Sequence, residues 1–191
     1  MAKDFSVNKF KSSFQNGLTD QSLFEFKFTG LPPCLRKIHL TSIIDNLTIH
    51  TKKAQMPDMT IQTNPVAYTG APSKYPYEHS SSDMGIEVVS SANLWERKFF
   101  WDWQQKIVDY GIPGSGNNGA NFLVGYYNDY VVNGELSIYN KKGDLMSTLV
   151  IANCWPMSIG VMDLDWSTKD TVAVFYVTLG FSYWEFKEGK K

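Results

Sequence analysis

The chain has 191 residues with 18 basic and 19 acidic side chains, a formal charge of −1. This balance argues against a dedicated nucleic-acid binder, whose affinity rests on a basic excess that displaces the counterions condensed on a phosphate backbone. Hydrophobic residues make up 43%, aromatics 15% and charged residues 19%. That is enough apolar material for one well-filled core and too much for a wholly disordered chain.

The first twenty residues are polar, with Phe5, Phe10 and Phe14 as isolated apolar points, and read as an N-terminal arm preceding a domain over 21–191. They lack the apolar stretch of a signal peptide, so synthesis in a reducing cytoplasm is expected, without a Cys34–Cys154 disulfide. In SLFEFKFTG, Phe24, Phe26 and Phe28 alternate with Glu25, Lys27 and Thr29, the period of a half-buried strand, and Pro32 and Pro33 close it. Residues 31–51 read as an irregular excursion with strand-like pieces and a hairpin. Pro57 and Pro65 exclude a helix interior from 52–70, and a loop is expected through APSKYPYEHSSSD before a strand resumes at GIEVVS.

One helix is predicted at about 93–110. Asn93 serves as its N-cap, Glu96 completes a capping box and Gly111 stands just past its end. Trp95, Phe99, Trp103, Ile107 and Tyr110 recur at spacings of four and three along one side, and Phe100 and Trp101 widen the stripe. Residues 111–121 hold four glycines and form a flexible loop. The remainder reads as antiparallel β: GELSIYN, the turn KKGD, MSTLVIANCW and one long strand, TVAVFYVTLGFSYWE. The fold class is therefore mainly β, one domain with a single flanking helix.

Chemistry is sparse. His39, His50 and His79 are scattered and the two cysteines lack metal-type spacing, so no zinc site is expected. No nucleophile elbow is present. GIPGSGNNG follows a helix and lacks the lysine of a phosphate loop. Asp163 and Asp165 fall on one face of an expected strand, where a polar face is the simpler reading than a metal or acid–base pair. Trp95, Trp101 and Trp103 read as core or subunit-interface packing. No catalytic group, cofactor or metal is expected, and no stretch suits a membrane anchor: Leu145 to Met162 is uncharged but carries Asn153, Pro156 and Gly160.

Three segments do carry a resemblance. Met56 and Pro57 with Pro65, Val66 and Tyr68 make the first group, and Arg97, Phe99, Asp102, Trp103 and Gln104 in the helix the second. Trp155 and Pro156, Gly160, Asp165 and Trp166, then Tyr183, Trp184 and Glu185 make the closing pattern. Together they resemble the tail tube proteins of contractile-tailed, T4-like bacteriophages. The resemblance implies a β-sandwich or barrel-like subunit that forms hexameric rings, stacked into a hollow tube that is part of the virion. It also implies partners: further copies, the sheath, the baseplate and terminator proteins, a tape measure protein in the lumen and double-stranded DNA that passes without specific binding.

The motif residues then become assembly candidates. The arm, the excursion at 31–51 and the loop at 111–121 are expected to contact adjacent rings. Baseplate initiators, tail terminators and the inner tubes of phage-derived injection systems are similar in sequence and remain alternatives.

Overall fold

The computed structural model describes Val7 and residues 21–39, 41–67, 69–109, 123–167 and 171–187. The arm, apart from Val7, and the glycine-rich loop lie outside the described residues. In chain order the elements are β1 (Phe24–Phe28), a 3-10 turn (Pro33–Leu35), α1 (Ser42–His50), β2 (Thr51–Ala54), β3 (Thr60–Val66), β4 (Ser73–Ser80) and β5 (Met84–Val89). They continue with α2 (Trp95–Ile107), β6 (Val108–Asp109), β7 (Leu123–Val124), α3 (Tyr127–Tyr130), β8 (Val132–Tyr139), β9 (Leu145–Ile159), β10 (Val174–Gly180) and β11 (Tyr183–Lys187). The mainly β architecture expected from the sequence is what forms.

The fifteen residues of β9 serve two sheets. Its first part pairs with β8 on one side and with β11 on the other, Ala152 facing Tyr183 and Thr148 facing Lys187, while β1 extends this sheet beyond β8. Its last part pairs with β10, which leads on to β5 and β2. The two sheets meet where β9 turns at Asn153, whose φ of 56° is left-handed. Asparagine is one of the few side chains that tolerate this region.

The corner is tied on both strands. Asn153 Nδ2 donates to Ser182 Oγ at 3.3 Å, and the Ser182 amide donates to the Ala152 carbonyl at 3.0 Å. The Asn153 amide in turn donates to Asn133 Oδ1 at 3.0 Å. The partner of a bent strand must bend at the same level, so the run expected as one long strand is two, β10 and β11, broken at Phe181 and Ser182. Gly180 permits the approach: a Cβ there would stand 3.0 Å from the Trp155 ring.

The core lies between the sheets and under α2. Phe26 and Phe28, Ile86 and Val88, Leu149 and Ile151, and Phe175, Val177 and Leu179 are buried from the strands, and Phe99, Phe100, Trp103 and Ile107 from the helix. The Trp103 ring meets Phe28 at 5.4 Å and its Nε1 donates to the Tyr130 carbonyl at 2.8 Å, so the indole is packed and satisfied at once. Phe100 joins the buried stripe as expected, but Trp101 is exposed on the opposite side.

Several expectations are corrected. The helix starts at Trp95 after Leu94, a left-handed N-cap with φ 54° and no side-chain cap bond, and it ends at Ile107. The Asn93 capping box does not form, because Asn93 Oδ1 is held by Ser91 Oγ at 2.6 Å. Glu96 instead turns back, fully buried, to accept from the Ser91 amide at 3.1 Å and Ser91 Oγ at 2.9 Å, with His50 Nδ1 2.6 Å away.

The excursion is no hairpin: 42–50 is helical, since burying Ile44 and Leu47 outweighs the poor helix propensity of its β-branched residues. Residues 73–80, read as loop, form β4, with Pro76 at a point of irregular register. Asp163 and Asp165 do not sit on a strand; Asp165 Oδ1 accepts from the Ser167 amide at 2.9 Å in a turn.

Away from the core, Glu87 accepts from Lys52 Nζ at 3.0 Å and from the Tyr176 hydroxyl at 2.8 Å. The bond from Lys52, aided by that from Tyr176 and partly opposed by desolvation, holds the Glu87 carboxyl below its ordinary range. Tyr176 is raised, chiefly because its hydrogen bond to Glu87 favours the neutral phenol. A depressed carboxylate contributes stability above its unfolded pKa and loses it as pH falls through the folded value. Urea midpoints measured at about pH 7 and about pH 3 should therefore fall less on acidification in Lys52→Ala than in the parent chain. Equal falls would remove Lys52 as the cause.

The corner gives a second expectation. Asn153→Val should cost about 2 kcal/mol, from left-handed strain in a β-branched residue. Asn153→Gly, which keeps the backbone and loses one exposed hydrogen bond, should stay within about 1 kcal/mol of the parent. Equal melting of the two variants would show that the corner does not depend on this backbone conformation.

Candidate assembly surface

The candidate site is a surface, and it begins with a hairpin that is exposed along nearly its whole length. β3 and β4 pair with each other and, among the described strands, with no other. Every residue of both is exposed except Val66, which is half-buried. The exposed residues include Ile61 at 61%, Tyr75 at 57% and Tyr77 at 67%, with Met59 just before β3 at 56%. An isolated two-stranded hairpin is marginal in water, and contiguous exposed apolar side chains mark contact surfaces.

The root of the hairpin is fastened to the sandwich. Asp58 Oδ1 accepts from the Ser82 amide, a bond that holds its carboxyl below the ordinary range, and the Asp58 carbonyl accepts from Trp184 Nε1 at 3.2 Å. Pro57 is buried there while Met56 beside it is exposed. A recess of about 130 Å³ at this root is lined by Met59, His79, Asp83, Ser182, Tyr183 and Trp184. His79 therefore lies at the foot of the hairpin, cross-strand from Ile61.

The motif residues divide into two kinds. Pro57, Trp103 and Pro156 are buried, and Trp155 and Trp184 are half-buried against the core. Gly160 accepts from Arg97 Nη1 at 2.9 Å and donates to the Tyr176 carbonyl at 2.7 Å. A Cβ at Gly160 would press that carbonyl at 3.1 Å. Gln104 reaches the Met157 carbonyl at 3.2 Å, so Arg97 and Gln104 both clamp α2 to the end of β9. These residues build the subunit.

Met56, Pro65, Trp166 and Tyr183 are exposed, and Asp165 is exposed in its turn. Tyr68 lies outside the described residues. The motif is thus spread over several surfaces and does not converge on one pocket. Sequence reading missed β4 as part of the surface. The alternation of Tyr75, Tyr77 and His79 with Pro76 and Glu78 is its visible trace.

The described residues contain no cluster of three or more His, Cys, Asp or Glu side chains able to hold a metal ion. Cys34 and Cys154 are free, and desolvation pushes their thiols up to about 11 and about 12. No described helix is long and apolar enough to cross a membrane.

Comparison with known proteins places this geometry. Tail tube protein gp19 of Enterobacteria phage T4 is 22% identical over 154 residues, spanning 80% of this chain and 90% of that protein. The corresponding protein of Enterobacteria phage T6 is 23% identical over the same shares.

Among solved structures, a chain of the PVC sheath–tube complex, an extracellular contractile injection system in its extended state, superposes with a TM-score of 0.58 at 16% identity. The match covers 96% of this chain and 99% of that one. The tube-terminating cap of the anti-feeding prophage gives 0.59 at 13% identity, over 98% and 97%. These two likenesses establish the shared fold. Residues 19–187 match the family described as phage tail tube protein, and with nearly its whole length matched, the chain belongs to the phage tail tube protein family.

Proposed function

We propose that this chain is the repeating subunit of the inner tube of a contractile phage tail, assembling as hexameric rings that stack into a conduit for DNA. The observation that carries this reading is the β3–β4 hairpin, exposed on both faces in the single subunit yet bearing Ile61, Tyr75 and Tyr77. Burying such side chains against a neighbouring copy contributes roughly 1.5–3 kcal/mol each when complete. It also pairs edges that would otherwise template aggregation. The exposed motif residues Met56, Pro65, Asp165, Trp166 and Tyr183 are the further assembly candidates.

The partners follow from the reading. The outside of the tube meets the sheath, its ends meet the baseplate and the terminator, and the lumen holds a tape measure protein before DNA passes. Catalysis has no part in this role. The residues 1–20 and 111–121 serve as inter-ring segments. The excursion at 31–51 supports this less directly, since Leu31, Leu35, Ile44 and Leu47 belong to the core. A terminal cap is the second reading, favoured by the fold likeness to the anti-feeding prophage cap.

Negative-stain electron microscopy of the concentrated protein, seeded with baseplate where necessary, should show hollow tubes built of sixfold rings. Single rings that never elongate would favour the cap, and a persistent monomer even when seeded would sink both readings. Ile61→Asp with Tyr77→Asp should leave the melting of the unassembled subunit within about 0.5 kcal/mol of the parent, since both side chains are solvated there. The same pair should abolish tubes. Normal tubes from this variant would exclude the hairpin from assembly.

A further inference from the structure

Opposite ends of β9 carry two features that complement one another. Beyond its last residue, the segment Val161–Trp166 carries a run of exposed apolar side chains: Val161 is 86% and Leu164 79% exposed, and Trp166 is fully exposed. Asp163 and Asp165 alternate with them. Asp165 fixes the tip, accepting from Ser167 Oγ at 2.7 Å as well as from its amide. The result is an acidic finger with an apolar tip, whose indole is fully exposed among the described residues.

Before the first residue of β9 lies an open recess of about 480 Å³, formed by the start of β1 and the β8–β9 turn. Leu23, Phe24 and Tyr139 line it, and Lys141 and Lys142 stand at its rim. The turn is rigid: Asn140 Oδ1 accepts from the Lys142 and Asp144 amides, both at 2.9 Å, and Gly143 takes a φ of 86° that only glycine adopts freely. Neither lysine has an ion-pair partner among the described residues.

We infer that the Val161–Trp166 finger of one copy of this chain seats in the Leu23–Phe24–Tyr139 recess of the next, with Asp163 and Asp165 facing Lys141 and Lys142. The inference rests on the self-assembly reading above and adds a defined contact to it. Charge complementarity selects the occupant: the finger is acidic where the rim is basic. Apolar burial supplies the affinity while the charges steer and set the register.

The recess falls within the range of about 300–1,000 Å³ that takes a bulky ligand group. Finger and recess are different patches of the subunit, and a contact in which each copy gives its finger to one neighbour and its recess to another is heterologous. Such contacts propagate into rings or filaments and do not stop at a dimer.

Disulfide trapping in the full chain tests this. Ser22→Cys, in the recess, is combined with Leu164→Cys, in the finger, and the assembled protein is oxidised beside the parent, which reports any background from Cys34 and Cys154. The expected result is a ladder of cross-linked copies from the doubly substituted chain, absent from either single variant. Adding Lys141→Glu and Lys142→Glu should lower the cross-linked fraction at least about fivefold.

Intact assemblies without a ladder would overturn this contact while leaving self-assembly standing, whether residues 1–20 or a tail partner then fills the recess. A ladder indifferent to the charge reversals would overturn the selection by charge. Failure of the parent to assemble even when seeded would defeat the underlying reading, and the contact with it.

Discussion

The architecture depends on a single backbone constraint, the corner at Asn153. A fifteen-residue strand is roughly 50 Å of extended chain, too long to cover one face of a small sandwich and remain straight. Turning it lets the same strand contribute Leu149 and Ile151 to one sheet and Pro156 to the other, so both sheets close on one core. The antiparallel partner must turn at the same level, which fixes the break at Phe181–Ser182 and the glycine at 180 beside the Trp155 ring. α2 is then fastened to the end of β9 through Arg97 and Gln104, and to the Tyr130 carbonyl through Trp103. Part of the family resemblance lies beside this corner, in Trp155 and Pro156 of β9 and Tyr183 and Trp184 of β11, while Met56, Pro65, Asp165 and Trp166 lie away from it on exposed surfaces.

Two stabilities are built into the chain. The sandwich has its own buried core and satisfied polar groups: no buried side-chain nitrogen or oxygen among the described residues lacks a partner. Most of the hairpin and the finger lies outside that core, with Met162 of the finger packed against it. In the lone subunit the hairpin is held by its own pairing and the finger by the Asp165–Ser167 turn, and both leave apolar side chains exposed. Anything that binds the folded state adds to its stability by mass action, so a neighbour seated on the hairpin or the finger would stabilise the subunit. The apolar side chains exposed there are interleaved with Glu78, Lys74, Asp163 and Asp165, charges of the kind that oppose edge-to-edge association.

How far the sequence revealed this follows from which interactions are local. Alternation in β1 and the turn Asn140–Asp144 are short-range signals, and the structure realises them. The apolar stripe of α2 is likewise legible, since a period of 3.6 needs no knowledge of what it packs against. α1 was hidden because isoleucine and threonine favour strands until burial of Ile44 and Leu47 decides otherwise. β4 was hidden by Pro76 and by its lack of any buried face, for alternation signals a strand only when one side faces a core. The buried Glu96 illustrates the same limit: its spacing from Asn93 suits a capping box, yet His50, from a distant helix, competes for it. Surface residues such as Trp166 and Tyr183 could be singled out by family resemblance, but nothing local distinguishes a contact residue from an ordinary exposed one.

Charge placement follows from the same architecture. On the solvated face of the first sheet, Glu135 lies between Lys27 at 3.6 Å and Lys187 at 3.5 Å, and Glu25 accepts from the Tyr139 hydroxyl at 2.8 Å. On the second sheet Lys52 answers Glu87. The pairs at Glu135, exposed on the lysine side, add little stability, roughly 0–1 kcal/mol each, so their value lies elsewhere. A lysine paired with a carboxylate is a poor counterion for phosphate, and the faces of both sheets carry alternating signs without a block of either. A surface of this kind neither grips a polyanion by counterion release nor repels it over long range. Lys141 and Lys142, without such partners among the described residues, stand apart from these faces, at the turn that precedes β9.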